Sequence, residues 1–453
     1  MDYKGKTVLV VGLARSGISA AKALDNLGAQ VIVNDMKSED DISEIVEELK
    51  KSTNCTFYIG KQPDDILDQV DCIVISPGVP IDTPFILKAR EIGKEVISEV
   101  EFAYRLCKAP IIAITGTNGK TTTTALVGEI LKASGSSTHV VGNIGVPFSG
   151  RVLDILPTDM VVAEISSFQL EAIKQFKPMV SAILNITEDH LNRHKTMENY
   201  ITIKSRIFEN MIKNDWIVLN ADDKIVSELV VESNANILYF SSQQRLSKGA
   251  WVENNKIVID LGQGMENICA IDTIAIPGAH NLQNALAGVL IARIVGVDIK
   301  TIAKVLSEFP GVEHRIEKVE EIQGVTFYND SKGTNPDASI KAIEAMNGPT
   351  VLIAGGMDKK SDFTGFVESF GNTVTALVVL GETADLIIKT SKDNGFTNIH
   401  KTRTIQEAVE KSFELSSPGY NVLLSPACAS WDMFKDFEER GRVFKEAVRA
   451  LRR

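Results

Sequence analysis

At 453 residues the chain exceeds what one hydrophobic core usually serves, so about two to four domains of ~100–200 residues each are expected. Its 44% hydrophobic and 24% charged residues are the balance of a soluble globular protein, and no apolar run approaches the ~18–20 residues of a membrane span. A net charge of −11 excludes the basic field that nucleic acid or an anionic membrane would need. The five cysteines lie far apart in no metal-ligand spacing, and Met1–Lys6 runs directly into a strand without a signal-peptide core. Both point to a reducing cytoplasm.

Lys6–Val11 predicts a strand, Gly12–Gly17 a loop, Ser16–Gly28 an Ala/Leu-spaced helix, and Gln30–Asn34 a second strand ending at Asp35. That is a βαβ unit of the doubly wound kind. Asp71–Ile75 predicts another strand, running into the turn Ser76-Pro77-Gly78, and the first domain is expected to close near Ser98. A helix then leads to the strand Pro110–Ile114. Further strands at Met160–Ala163, Val180–Leu184 and Trp216–Leu219, separated by helical patterns, predict a second parallel α/β core. Gly249–Pro277 alternates as β-hairpins do and predicts a small antiparallel appendix, and Asn281–Val295 a helix before Pro310-Gly311. From Val312 the pattern restarts, with strands at Val325–Tyr328, Thr350–Ala354, Ala376–Leu380 and Asn421–Leu424 and helices at Pro336–Met346, Ile405–Ser412 and Phe434–Leu451. The expected class is α/β in three domains, 1–98, 99–311 and 312–453. The outer two would be Rossmann-like; the central one would be ATPase-like, with a phosphate loop and the β appendix.

The most informative stretch is Thr115-Gly116-Thr117-Asn118-Gly119-Lys120-Thr121, between the strand at Pro110–Ile114 and the helical run Thr122–Val127. Glycines there let backbone N–H groups close around a phosphate at a helix N-terminus. Lys120 can reach the terminal phosphates, and the Thr121 hydroxyl suits Mg²⁺. Ile114 replaces the first glycine of the usual pattern, so this is a shortened loop. The chain is expected to bind a nucleoside triphosphate.

Other segments leave alternatives open. Gly12-Leu13-Ala14-Arg15-Ser16-Gly17 imperfectly matches a dinucleotide fingerprint, since Ala14 stands where close pyrophosphate approach wants glycine; a nucleotide-sugar diphosphate fits equally well. Glu164, opening Glu164-Ile165-Ser166-Ser167-Phe168-Gln169-Leu170 at a strand end, either holds Mg²⁺ on the triphosphate or belongs to a helix-capping turn. His190 and His194 beside Glu188 and Asp189 are either metal ligands or a solvated helix start. Lys204, in Tyr200-Ile201-Thr202-Ile203-Lys204, is by default a surface lysine. Asn281 and Asn284 lie in a helix start and can also fix a base edge. Asn329–Pro336 packs an acid, a base and two hydroxyls before a helix opened by Pro336, the kind of loop that carries function.

Taken together, these stretches resemble the Mur ligase family, the ATP-dependent amino-acid ligases of peptidoglycan precursor synthesis. The glycine loop is shared across that family and with folylpolyglutamate synthetases. Asp330–Asn335, Gly355-Gly356-Met357-Asp358-Lys359 and Leu424–Phe434 resemble its D-glutamate-adding branch more selectively. The resemblance spans the whole chain and implies that Gly116, Thr117, Asn118, Gly119, Lys120, Thr121, Thr122, Asn284, Arg315 and Asp330 bind ATP. It implies that Thr121, Glu164 and His190 hold magnesium, and that Lys204, carbamylated, supplies a second Mg²⁺ site. Lys332, Thr334, Lys359, Ser430 and Phe437 would gather D-glutamate; Ser16, Asp35, Ser76, Pro77, Gly78 and Asn143 would hold UDP-N-acetylmuramoyl-L-alanine. One departure is Asn192, where the family usually carries an Asp.

The reaction so implied is acyl-phosphate formation from ATP, then amide formation with D-glutamate, with Lys120, Glu164, His190, Lys204 and Lys332 as the catalytic set. Domain closure would bring Lys332 and Arg315 onto the nucleotide. The expected protein is a cytoplasmic monomer with no nucleic-acid or membrane partner. Another Mur ligase or a folylpolyglutamate synthetase-like ligase is the alternative; an NAD-dependent dehydrogenase rests on Gly12–Gly17 alone, and a nucleotide switch needs no third domain.

Overall fold

In the computed structural model, residues 3–357 and 361–452 are described. The chain forms two compact units, Met1–Thr273 with Gln283–Ser307, and Ile274–Leu282 with Glu308–Arg453. Among the described residues no helix is long and apolar enough to cross a membrane.

The first unit holds two sheets. Strands β1 (Thr7–Val11), β2 (Gln30–Asp35), β3 (Thr56–Ile59), β4 (Cys72–Ile75) and β5 (Glu95–Ser98) form a parallel sheet in the order β3-β2-β1-β4-β5. Strand order reverses between β1 and β4, so a crevice opens at their carboxyl ends, where such sheets bind ligands. The second sheet contains β6 (Ile111–Thr115), β7 (Thr138–Gly142), β8 (Met160–Glu164), β9 (Val180–Ile183), β10 (Trp216–Asn220), β11 (Asn236–Ser241), β12 (Gly249–Glu253), β13 (Lys256–Asp260) and β14 (Glu266–Ala270). Its order is β14-β13-β12-β11-β10-β9-β6-β8-β7. The antiparallel hairpins expected after Gly249 are present, and β12 pairs parallel to β11, so they extend this sheet at one edge. Strand β6 is flanked by β8 and β9, which places the loop after it beside the ends of both. Ile112, Ala113 and Ile114 are fully buried, and strands covered on both faces read as unbroken apolar runs for that reason. Truncating Ile112 to Ala would cost ~2–5 kcal/mol.

The second unit is built on β15 (Glu317–Ile322), β16 (Val325–Asn329), β17 (Thr350–Ala354), β18 (Val374–Val379), β19 (Ile399–Lys401) and β20 (Asn421–Leu424). The order is β15-β16-β20-β17-β18-β19, parallel except for β15. Apolar clusters cover both faces, one around Leu352, Phe366 and Leu377, the other around Phe327, Val351 and Phe444. The last helix begins at Phe437, three residues later than expected at Phe434, because Asp436 caps it by accepting from Glu439 N.

Candidate active site

The crevice at the β1/β4 switch is a cavity of about 710 Å³. Ser16, Asp35, Ser76, Pro77, Gly78 and Asn143 all line it, so the structure brings these expected residues together. Local bonding shapes its floor. Ser76 Oγ donates to the Gly12 carbonyl at 2.7 Å, and a Cβ on Gly17 would sit 1.9 Å from that same oxygen, so the helix can pack here only with glycine. Asp35 accepts from Leu13 N (2.8 Å) and Lys37 N (3.0 Å); both carboxylate oxygens hold the loop's own backbone.

Asn143 connects this cavity to the central sheet. Its side-chain amide donates to Glu164 Oε1 at 2.8 Å. The other carboxylate oxygen, Glu164 Oε2, is buried without a hydrogen-bond partner, on a residue only 2% exposed. Capping of the following helical turn is done by Ser166 and Gln169, which exchange side-chain and backbone bonds. Glu164 is therefore not the cap, and one of its carboxylate oxygens is left without a bond. An ionised oxygen orphaned in the interior is costly unless a positive charge meets it.

The glycine loop turns between β6 and the helix Lys120–Ala133. Gly119 takes φ 81°, and a Cβ there would lie 2.2 Å from Asn284 Oδ1, so the loop's shape and the position of Asn284 are interlocked. Asn185, two residues past β9, accepts from Thr117 N through its backbone carbonyl, and its side-chain amide accepts from Asn118 N and donates back to Asn118 O. Thr117 Oγ1 meets Tyr200 OH at 3.2 Å. Lys120 Nζ folds onto the Gly116 and Thr117 carbonyls, while Thr121 and Thr122 lie buried in the first helical turn.

Lys204 corrects the default expectation of a surface lysine: it is 1% exposed, and its ammonium donates to the Gly116 carbonyl and lies 4.7 Å from the Tyr200 ring centroid. Burial, reinforced by the Lys120 charge, pushes its pKa well below the ordinary lysine value. His190 stands half-exposed at φ 53°, with burial, Lys120 and Lys204 lowering its pKa against Asp189. His190 thus favours the neutral form a metal ligand needs. His194 is different. It is buried, bonded to Ser167 Oγ at 3.0 Å and stacked on Phe168, with burial first among the causes that lower its pKa to about 4. His194 is a packed core histidine, so the i, i+4 spacing does not mark a two-histidine site. Asn192, where the family usually has Asp, is exposed.

In the second unit, the loops after β16, β17 and β20 meet. Asp330 is buried, accepts from Ile316 N and Ser425 Oγ, and burial raises its pKa to about 6 despite Arg315. Lys332 lies 5.8 Å from the Phe437 ring centroid, and Ser331 Oγ donates to Phe437 O. Arg440 was not foreseen. Its guanidinium donates to Ser331 Oγ and O, to Cys428 O and to Ala429 O, binding the loop of Lys332 and Thr334 to the loop of Ser430. Burial lowers its pKa to about 10, so it stays charged near neutrality. Asn281 donates to Pro277 O and so serves the helix start. Lys359 lies outside the described residues.

A glycine loop at a helix N-terminus, beside a strand-end carboxylate oxygen without a partner and a buried lysine, with a crevice alongside, is the arrangement of an enzyme that uses a nucleoside triphosphate. The comparisons with known proteins agree. Residues 6–98 match the Mur ligase MurD-like N-terminal domain, 114–292 the Mur ligase middle domain, and 314–428 the Mur ligase glutamate ligase domain. The chain is 50% identical to the UDP-N-acetylmuramoylalanine–D-glutamate ligase of Clostridioides difficile (strain 630), covering 100% of both. It is 52% identical to the protein of that name from Thermoanaerobacter sp. (strain X514), again over 100% of both. Its fold is similar to that of the UDP-N-acetylmuramate-alanine ligase of Thermotoga maritima (TM-score 0.61, 21% identity, 98% of this chain and 100% of that one). The chain belongs to the Mur ligase family.

Proposed function

We propose that this enzyme joins D-glutamate to UDP-N-acetylmuramoyl-L-alanine at the expense of ATP, as a cytoplasmic, monomeric step of peptidoglycan precursor synthesis. The observation that carries this reading is the end-to-end similarity, at about half of all positions, to relatives named for that reaction. On it, the domains are 1–98 for the UDP-sugar, 99–311 for ATP and 312–453 for the amino acid.

The γ-phosphoryl group passes from ATP to the alanine carboxylate, breaking the bond to ADP and giving an acyl phosphate. The D-glutamate amine then attacks the carbonyl, phosphate leaves, and the amine's proton passes to solvent. Lys120 and the helix N-terminus neutralise the phosphates. Thr121, Glu164 and His190 would hold one Mg²⁺ and Lys204, if carbamylated, would supply a ligand for a second; bound metal would offset the charge between phosphate and carboxylate. The partnerless Glu164 Oε2 supports the first assignment. The depressed pKa of Lys204 supports the second, since CO₂ adds only to a neutral amine. Ser16, Asp35, Ser76, Pro77, Gly78 and Asn143 hold the UDP-sugar, Asp35 by keeping the loop closed. Asn284, Arg315 and Asp330 serve the nucleotide, and Lys332, Thr334, Lys359, Ser430 and Phe437 the amino acid.

The test is phosphate release from ATP and Mg²⁺ with UDP-N-acetylmuramoyl-L-alanine, adding D-glutamate, L-glutamate or L-lysine separately. Release with D-glutamate alone is expected; release with another amino acid would overturn the assignments in 312–453.

A further inference from the structure

The segment that carries His190 is tied to the wall of the UDP-sugar cavity by one side chain. Arg193 lies in the same helical turn, its N–H bonded to the His190 carbonyl at 2.9 Å. Its guanidinium donates through Nε to Glu171 Oε1 at 3.1 Å and through Nη2 both to Glu171 Oε2 and, at 2.9 Å, to the carbonyl of Val79. Val79 lines the cavity directly after Ser76-Pro77-Gly78. The guanidinium carbon also sits 5.0 Å from the Phe168 ring, and that ring packs on His190 at 4.9 Å. Glu171 is 7% exposed, and its neighbour Ala172 accepts from Ser98 N and packs into the core beside β4 and β5. A rigid planar fork with two bonds on a buried carboxylate and one on a cavity-wall carbonyl holds the three groups in one geometry.

We propose that Arg193 is a positioning residue that couples occupation of the UDP-sugar cavity to the placement of His190, so that the metal-holding turn is set when the sugar nucleotide is bound. A ligand that moves the Ser76–Val79 turn moves the Val79 carbonyl, and Arg193 carries that shift to its own turn. The inference rests on the reading of the cavity as the UDP-substrate site and of His190 as a metal ligand. Lysine cannot replace the fork: one ammonium on a flexible stem lacks the planar geometry that serves both partners.

The test measures the rate of phosphate release against UDP-substrate, Mg²⁺ and D-glutamate concentration, thermal unfolding, and UDP-substrate binding without ATP or Mg²⁺ in wild type, Arg193→Ala and Arg193→Lys, with and without added guanidinium chloride at low, non-denaturing concentration. Loss of charge-assisted bonds of this kind should raise both the KM for the UDP-substrate and the Mg²⁺ concentration for half-maximal rate roughly tenfold in Arg193→Ala. The KM for D-glutamate should stay unchanged, Arg193→Lys should recover little, and guanidinium should restore part of both losses. A merely structural role would lower kcat or thermal stability and leave the Mg²⁺ dependence alone, and that result overturns the proposal. Should Arg193→Ala not fold, Arg193→Lys decides: wild-type Mg²⁺ and UDP-substrate dependence in it would also overturn it. A wild type inactive with D-glutamate would instead sink the functional reading itself.

Discussion

Lys204 Nζ and the Gly116 carbonyl are 2.8 Å apart, a bond between a helix and the glycine loop across a sequence separation of 88. Its ammonium also sits over the Tyr200 ring, and burial and the Lys120 charge work against its charged form, opposed only in part by Asp189. A lysine held this way is prepared to react as a neutral amine.

Lys204→Ala should therefore lose activity by about a hundredfold or more, the scale of removing one electrostatic group from a phosphoryl-transfer site. Acetate should restore part of it by refilling the carboxylate position. Phosphate release with and without acetate checks this; equal rates in variant and wild type would discard the carbamate.

Gly119→Ala should weaken both the fold and the nucleotide site. At φ 81° a Cβ is strained, and 2.2 Å from Asn284 Oδ1 it forces that side chain away. Chemical denaturation should register a loss of ~1–3 kcal/mol, with a raised KM for ATP. An unchanged KM for ATP would separate Asn284 from the nucleotide.

Asp330 makes the second unit pH-sensitive. Its folded pKa of about 6 lies above the ordinary 3.8, so the folded form holds the proton more tightly. The associated stability is complete below about pH 3.8 and is lost as pH rises through about 6. Asp330→Asn should remove a change on the order of 3 kcal/mol across that window, read from urea unfolding at a series of pH values. Parallel wild-type and variant curves would refute it.

Arg440→Ala should destabilise the second unit by ~3–5 kcal/mol, because the carbonyls of Ser331, Cys428 and Ala429 lose their buried donors. Arg440→Lys should recover little of that. A variant as stable as wild type would mean water replaces the guanidinium without loss.

Much of the architecture was legible in local pattern. Apolar runs such as Ile111–Ile114 and Cys72–Ile75 became buried parallel strands because burial on both faces strongly favours apolar side chains. Glu317–Ile322 was missed because an antiparallel edge strand with three glutamates and a lysine has no such run. Lys204 looked like any helical surface lysine, since the residues that bury it are distant in sequence. Arg193, Asn185 and Arg440 left no local signal: each acts on backbone atoms of another segment, and backbone carbonyls carry no letter.

The central strands of each sheet, the glycine loop and the chemical types gathered at strand ends followed from the chain alone, because periodicity and turn chemistry act over a few residues. Tertiary structure alone decided which carboxylate oxygen stays unpaired at Glu164, which histidine faces outward, and which cation is buried. Those outcomes depend on the dielectric and the partners that distant segments supply, as Asn143 does for Glu164 and Ser167 for His194.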